Sequence, residues 1–181
     1  MSNSKPSVET PSIKRRLISM LYDTFLATAV ALLGMTVFTF ATLRLAAEFR
    51  VAAGAITLFL VLGAYFVHAW AGSGFTLAMK TWRIKLVKVG YATVPMKTAI
   101  LRYVLAWGFV LPAILIGFFV TMSLKMKLAL LGANVLAWAL TALLDKDRQF
   151  LHDRLAGTRL IALPKLAKGG LITQGAPTTF T

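Results

Sequence analysis

The sequence predicts an all-α membrane protein, a four-span transmembrane helical bundle with a small cytoplasmic β-element. Two observations predict this fold class. Hydrophobic residues make up 58% of the 181 residues and charged residues 14%, whereas soluble domains are about 45–50% apolar and about 25% charged. The apolar residues also fall into four long runs, and a chain of this size could not hide that much apolar surface in a soluble core.

Each of the four runs is long enough, or nearly so, to cross a hydrocarbon core that requires about 20 helical residues. The predicted spans are residues 17–43, 51–71, 99–122 and 128–144. Asp23 alone interrupts the first span, while His68 lies in the second and Arg102 in the third. Pro112 in the third span cannot donate a hydrogen bond to the carbonyl of Gly108, so we expect a kink there.

The basic residues predict the orientation of the chain in the membrane. Most of the 20 lysines and arginines lie before the first span, between the second and third, and after the fourth. Cytoplasmic loops accumulate Lys and Arg, so both termini are expected to face the cytoplasm. A nucleic-acid-binding protein would instead cluster these residues on one surface with aromatic side chains among them. The net charge of +14 therefore predicts contact with anionic lipid headgroups and not with nucleic acid.

The chain is expected to form one transmembrane domain, residues 14–163, between polar ends. The ends, residues 1–13 and 164–181, combine Ser, Thr, Pro, Gly and Lys, and such a composition predicts disorder.

The β-element is predicted between the second and third spans. Residues 82–87 alternate apolar and basic side chains, a pattern typical of a half-buried strand. Residues 91–94 could return as a hairpin partner, and residues 158–163 form another β-like run on the same side of the membrane. We expect a small sheet beneath the bundle.

The ionisable residues of the spans gather near the cytoplasmic side. Asp23 and Arg102 lie about 9 and 5 Å below the starts of their spans at about 1.5 Å per residue. A carboxylate in the hydrocarbon region is costly, so we expect Asp23 to form an intramembrane ion pair with Arg102. Two interpretations stay open: a functional acid, or a structural pair that locks two helices together.

Sequence motifs give no support for an enzyme. The chain has no cysteine and only two histidines, which excludes disulfide scaffolds, thiolate metal sites and thiol nucleophiles. It also lacks a P-loop and the HExxH and GxGxxG motifs. We therefore expect no catalytic residues, no bound metal and no cofactor.

Three blocks of the sequence carry a family resemblance. The blocks are residues 15–23, 74–87 and 152–158. Together, and in this order, they resemble the RDD family, bacterial membrane proteins named for an arginine and two aspartates. The resemblance implies that Arg16 is the arginine and that Asp23 and Asp153 are the two aspartates. Seven further positions in the second and third blocks are candidate supporting residues: Thr76, Lys80, Arg83, His152, Arg154, Gly157 and Thr158.

The third block suggests a local structure. Residues 147–155 could continue as a helix beyond the membrane, and Gly157 suits the left-handed cap that would end it. Asp153 could then pair with Arg16 or Arg83 and tie the C-terminal segment to the spans. The alternative is a solvated helix charge, since exposed pairs contribute little.

The resemblance also implies a location and a range of functions. It indicates a multi-pass protein of the bacterial inner membrane whose molecular activity is unassigned. We expect a structural or accessory role, in a homo-oligomer or in a complex with a membrane partner. The alternative is a Na⁺ or Li⁺/proton antiporter, or a transport component, that uses Asp23, because such activity has been attributed to some members of the family.

Overall fold

A computed structural model describes residues 9–145 and 148–164. Its helices and strands, in chain order, are α1 (Ile13–Ala41), α2 (Ala47–Gly72), α3 (Leu77–Thr81), β1 (Ile84–Val87), α4 (Met96–Ala106), α5 (Leu111–Phe119), α6 (Leu124–Leu140), α7 (Leu151–Leu155) and β2 (Arg159–Ala162). Short 3₁₀ turns at Trp107–Phe109 and Thr141–Leu143 follow α4 and α6. Most of the stretches predicted to be disordered, residues 1–8 and 165–181, lie outside the described residues.

Among the described residues, three helical segments are long and apolar enough to cross a membrane: α1, α2 and the continuous helix Leu124–Leu143. A fourth candidate span is the pair Met96–Phe109 and Leu111–Phe119, bent by 48°. Large apolar side chains on these segments are exposed, for example Phe40 at 71% and Phe118 at 80%. Such a surface is typical of helices that face lipid, because a soluble monomer rarely exposes so much contiguous apolar area.

The bend between α4 and α5 confirms the kink that Pro112 predicts in the third apolar run, residues 99–122. The α-helix breaks at Val110, and Pro112 occupies the second position of α5, where its missing N–H costs least. The freed carbonyls find a partner on the neighbouring helix, because Asn134 Nδ2 of α6 donates to Gly108 O at 3.0 Å and to Phe109 O at 2.6 Å. Asn134 therefore joins α6 to the kink.

The small sheet has the antiparallel order β1–β2, with Ile84 opposite Ala162 and Val87 opposite Arg159. The alternating pattern of β1 is confirmed, since Ile84 and Leu86 are each 1% exposed and Lys85 and Val87 are half-buried. The C-terminal run supplies the partner strand. A hairpin with residues 91–94 is wrong, because these residues form bends and no strand.

The helix predicted over residues 147–155 is shorter than expected. α7 begins only at Leu151. Arg148 has a φ of 53°, which lies in the left-handed region and is incompatible with a right-handed α-helix at that position. Residue 147 lies outside the described residues. The predicted cap is confirmed, since Gly157 has a φ of 66° and its N–H donates to Arg154 O at 3.1 Å.

The sheet, α3 and α7 together form a layer at one end of the long helices, which we call the end layer. Its apolar core joins Ile84, Leu86 and Leu160 of the sheet to Trp70 of α2 and Tyr103 of α4. The end layer thus packs against the helix ends at which the ionisable residues lie.

Candidate functional site

The buried face of α1 is polar. Of the 29 residues of this helix, the buried ones are Arg16, Ser19 and Asp23, which are 1%, 2% and 8% exposed. Spacings of three and four residues place them on one face of a helix. α1 therefore directs these three polar side chains toward the protein interior, and its exposed surface is formed by leucines and phenylalanines.

Asp23 is bound by Thr76, the residue that precedes α3 of the end layer. Thr76 caps the N-terminus of α3: its Oγ1 accepts a hydrogen bond from Met79 N at 3.2 Å and donates one to Asp23 Oδ2 at 2.8 Å. The second carboxylate oxygen of Asp23, Oδ1, is buried without a partner. Asp23 therefore ties α1 to α3 with one oxygen and leaves the other unused.

Asp153 forms the buried ion pair of the site. Arg102 Nε lies 2.7 Å from Asp153 Oδ1, and the two side chains are 7% and 0% exposed. The guanidinium also lies over the ring of Trp70, 4.1 Å from its centroid. Burial alone would raise the pKa of Asp153, but nearby positive charge, above all that of Arg102, outweighs it and holds the pKa below its usual range.

The ion pair that the sequence suggested between Asp23 and Arg102 is not formed. Arg102 acts on Asp23 electrostatically, but its hydrogen-bonded partner is Asp153. The reason is that α7 packs against α4 and places Asp153 beside Arg102, whereas α3 supplies Thr76 to Asp23.

The two arginines suggested as partners of Asp153 bind elsewhere. Arg16 Nη2 donates to the backbone carbonyl of Arg148, and its guanidinium lies 4.6 Å from the ring centroid of Phe150. Its Nε and Nη1 are buried without partners, and its charge reaches Asp153 through space. Arg83 Nη1 donates instead to Pro164 O at 2.8 Å.

His152 lies between the ion pair and α6. Its Nδ1 accepts a hydrogen bond from Trp138 Nε1 at 3.3 Å, and its Nε2 lies 3.6 Å from Asp153 Oδ1. Burial, aided by the neighbouring arginines and opposed by Asp153, lowers the pKa of His152 to about 4. The ring is therefore neutral at neutral pH. Arg102 Nη2, also a donor, lies 3.4 Å from Nε2, so a neutral ring can accept from Trp138 or from Arg102 but not from both at once.

The other supporting residues of the third block shape the backbone around Asp153. Thr158 is 2% exposed, and both its N–H and its Oγ1 donate to Asp153 O, at 2.9 and 3.2 Å. Arg154 is exposed, and its Nε lies 3.9 Å from Asp145 Oδ1. Lys80, on α3, and His68, on α2, are also exposed and lie outside this cluster.

A cavity of about 820 Å³ opens beside the polar face of α1, between α1, α2, α4 and α6. Arg16, Ser19, Asp23 and Arg102 line one end of it. Farther along α1 the lining is mainly apolar, with Ala27, Ala31 and Met35 facing leucines of α2.

The family model described as the RDD family matches residues 10–157, most of the chain. The chain belongs to the RDD family. No curated protein and no solved structure matches it. RDD membership and the long apolar helices together support a membrane location and a multi-pass protein.

In this RDD protein Arg16, Asp23 and Asp153 lie at the same end of the helices, but they bind separate partners. Among the residues that the structure describes, no group of three or more His, Asp or Glu could hold a metal ion.

Sequence reasoning missed three polar contacts, two at this site and one at the kink. Ser19 lines the cavity with its Oγ unpaired, Trp138 donates to His152, and Asn134 binds the kink. Ser19 could have been found, because it lies three residues after Arg16 and four before Asp23. The other two carry no local signal, since their partners come from other segments.

Proposed function

We propose that this RDD protein is a structural or accessory protein of the bacterial inner membrane, whose motif residues lock the end layer onto the membrane helices. The observation that carries the proposal is that each motif residue binds a different segment. Asp23 binds the cap of α3, Asp153 binds Arg102 of α4, and Arg16 binds the backbone at Arg148.

The proposed topology has four spans with both termini in the cytoplasm. The kinked pair α4–α5 serves as the third span, because Asn134 satisfies the carbonyls at its break. The end layer then lies at the cytoplasmic surface, where its basic residues meet anionic headgroups. Since the chain has no cysteine, single-cysteine variants test this directly. We expect Lys80→Cys to react only after the membrane is opened and Lys125→Cys to react in intact cells.

The apolar lining of the cavity beyond Asp23 also favours the accessory role. A cation that leaves the carboxylate for the far side would meet mainly apolar lining, including Ala27, Ala31 and Met35. The hydroxyls of Thr24 and Thr28 already donate to carbonyls of their own helix, at 2.9 and 2.7 Å. Transport routes place relays or binding sites near the middle of the membrane. We propose a homo-oligomer or a membrane partner complex as the setting for the accessory role, and no enzymatic activity.

Reconstitution distinguishes the accessory role from antiport. Protein in liposomes with a pH gradient is expected to show no more Na⁺ or Li⁺-driven proton movement than empty liposomes, and Asp23→Asn is expected to change nothing. Cation-driven proton movement that Asp23→Asn abolishes would establish the antiporter instead.

A stability measurement tests the locking role itself. Thr76→Val removes the donor to Asp23 and the cap of α3 together, and losing a helix cap alone costs about 1 kcal/mol. Thr81→Val is the matched control, because Thr81 is exposed and its hydroxyl donates to Leu77 O of the same helix at 3.0 Å. If both variants unfold at the same denaturant concentration, Asp23 does not lock α1 to the end layer.

A further inference from the structure

A groove lies between α5 and α6, near the turn that joins them. Its volume of about 340 Å³ reaches the lower limit of the range of about 300–1,000 Å³ found for small-molecule sites. Ala113 and Gly117, the buried residues of α5, line it together with Leu128 and Leu131 of α6. Among the described residues that line the groove, Lys127 alone is polar, and none of them lines the cavity beside α1. The groove is therefore a second, mainly apolar site.

Lys127 lies at the mouth of this groove. It belongs to the first turn of α6, four residues after Ser123, which caps the helix. Its stem passes over α5, because a Cβ at Gly117 would lie 3.6 Å from Lys127 Cγ and 3.9 Å from its Cε. The residue is nevertheless exposed. A lysine placed in this way buries its methylene groups on apolar surface and keeps its ammonium at the membrane boundary.

The charge of Lys127 has no acidic partner within the part of the chain that the structure describes. The sequence contains no Asp or Glu between Glu48 and Asp145, and the ion pairs that the described residues form involve other side chains. In the proposed topology this turn faces the periplasm, where loops carry fewer basic residues than cytoplasmic loops do. A bound anion would supply the negative charge that the protein does not.

The groups that line the groove follow the covalent order of an anionic phospholipid. α5 ends at Phe119 and α6 begins at Leu124, so both helices run from this turn toward the membrane interior. Lys127 is in the first turn of α6, whereas Leu131 lies about one turn deeper, at about 1.5 Å per residue. A phosphate at the membrane boundary would therefore meet the ammonium first, and the acyl chain attached to it would continue into the apolar part of the groove.

The groove is open to lipid along its side. Ile114 and Phe118, which also line it, are 52% and 80% exposed. In a membrane such apolar side chains face acyl chains, so a lipid can enter the groove laterally without passing through the protein.

We propose that the groove between α5 and α6 binds a phospholipid whose headgroup carries a net negative charge. Lys127 Nζ donates to its phosphate, and the upper part of one acyl chain lies against Gly117 and Leu131. The leaflet that supplies the lipid rests on the proposed topology, but the binding itself does not. The groove shares no residue with the contacts of Arg16, Asp23 and Asp153, so Thr76→Val, which weakens the proposed lock, is expected to bind lipid as the wild type does.

Lipid titration of the unaltered protein tests the proposal first. The full chain in detergent is titrated with phosphatidylglycerol and with phosphatidylcholine of the same acyl chains, and native mass spectrometry measures the bound lipid. We expect roughly tenfold tighter binding of phosphatidylglycerol, because no cation of its own headgroup neutralises the phosphate that Lys127 binds. Equal binding of the two lipids overturns the proposal. So does a species of doubled mass that excludes lipid, because a second copy of the chain would then occupy the groove.

Two pairs of variants then locate the bound lipid. Lys127→Gln is expected to abolish the preference for phosphatidylglycerol, whereas Lys125→Gln is the control, because Lys125 is equally exposed but does not line the groove. Gly117→Leu fills the groove and is expected to weaken both lipids. Gly117→Ala is its control, because the added Cβ would make only ordinary contacts of 3.6–3.9 Å. Equal effects within either pair contradict the site, and the lysine pair alone decides the matter if Gly117→Leu does not fold.

Discussion

Asp153→Asn removes one charge of the buried ion pair and keeps the shape of the side chain. The substitution leaves the guanidinium of Arg102, 7% exposed, without its anion at 2.7 Å. Breaking a buried pair by removing one partner destabilises a protein by about 3–5 kcal/mol. Because the amide can still accept one hydrogen bond from Arg102, we expect a loss near the lower end, about 3 kcal/mol. Arg16, whose charge also acts on Asp153, adds to the uncompensated positive charge.

The assay is denaturant unfolding of the purified protein in detergent, followed by tryptophan fluorescence. Trp70 reports on the site, because Arg102 lies over its ring. Replacing both partners, Arg102→Met with Asp153→Leu, is expected to cost less than Asp153→Asn, since no buried charge is left alone. Arg154→Ala removes an exposed contact of 3.9 Å and should cost less than about 1 kcal/mol. The reasoning is refuted if Asp153→Asn is as stable as Arg154→Ala.

Three further predictions concern the kink and His152. A Cβ at Gly108 would lie 2.1 Å from Trp138 Cη2, so Gly108→Ala is expected to destabilise by about 1–3 kcal/mol, measured in the same unfolding assay. Asn134→Leu leaves two carbonyls at the break between α4 and α5 without their donor and should lower the free energy of unfolding by about 1–3 kcal/mol. In the folded protein the pKa of His152 is lowered to about 4. As the pH falls, the unfolded chain therefore takes up the proton at a higher pH than the folded protein does. Stability should therefore fall by about 3 kcal/mol from pH 6.5 to pH 4, and His152→Gln should remove that part of the pH dependence.

Each of these predictions has a contrary outcome. Gly132→Ala is the control for Gly108→Ala, because nothing lies within 4 Å of its added Cβ. Equal stability of the two variants would contradict close packing of Trp138 on Gly108. An Asn134→Leu variant as stable as the wild type would mean that the kink does not depend on that side chain. If the acid-induced loss persists in His152→Gln, another group causes it.

The candidate spans and the kink could be predicted because their signals are local. Run length and hydropathy identify the apolar helices, and Pro112 marks the break because a proline lacks the N–H that a helix interior needs. The alternating pattern of β1 was equally local. Its partner was not, since a run of four residues contains no information on which other short run it pairs with, and two candidates remained open.

The partner of Arg102 could not be predicted for a physical reason. Depth along a helix made Asp23 a plausible partner, but the actual pairing depends on the turn at Arg148, whose positive φ shortens α7 and directs Asp153 toward α4. No glycine marks that turn in the sequence, although glycine is the residue that most readily adopts a positive φ. The same limit applies to Asp23. The sequence marks its partner Thr76 as a position of the second block, but it does not show that Thr76 caps α3 and donates a hydrogen bond to Asp23.

The pairing of β1 with β2 has a consequence for biogenesis. Ile84 emerges from the ribosome long before Ala162, the residue it faces, and synthesis proceeds at about 5–20 residues per second. The helices thus enter the bilayer while the first strand waits several seconds for its complement. A nascent chain that stops before Arg159 would leave the edge of β1 without a partner and exposed to chaperones and proteases.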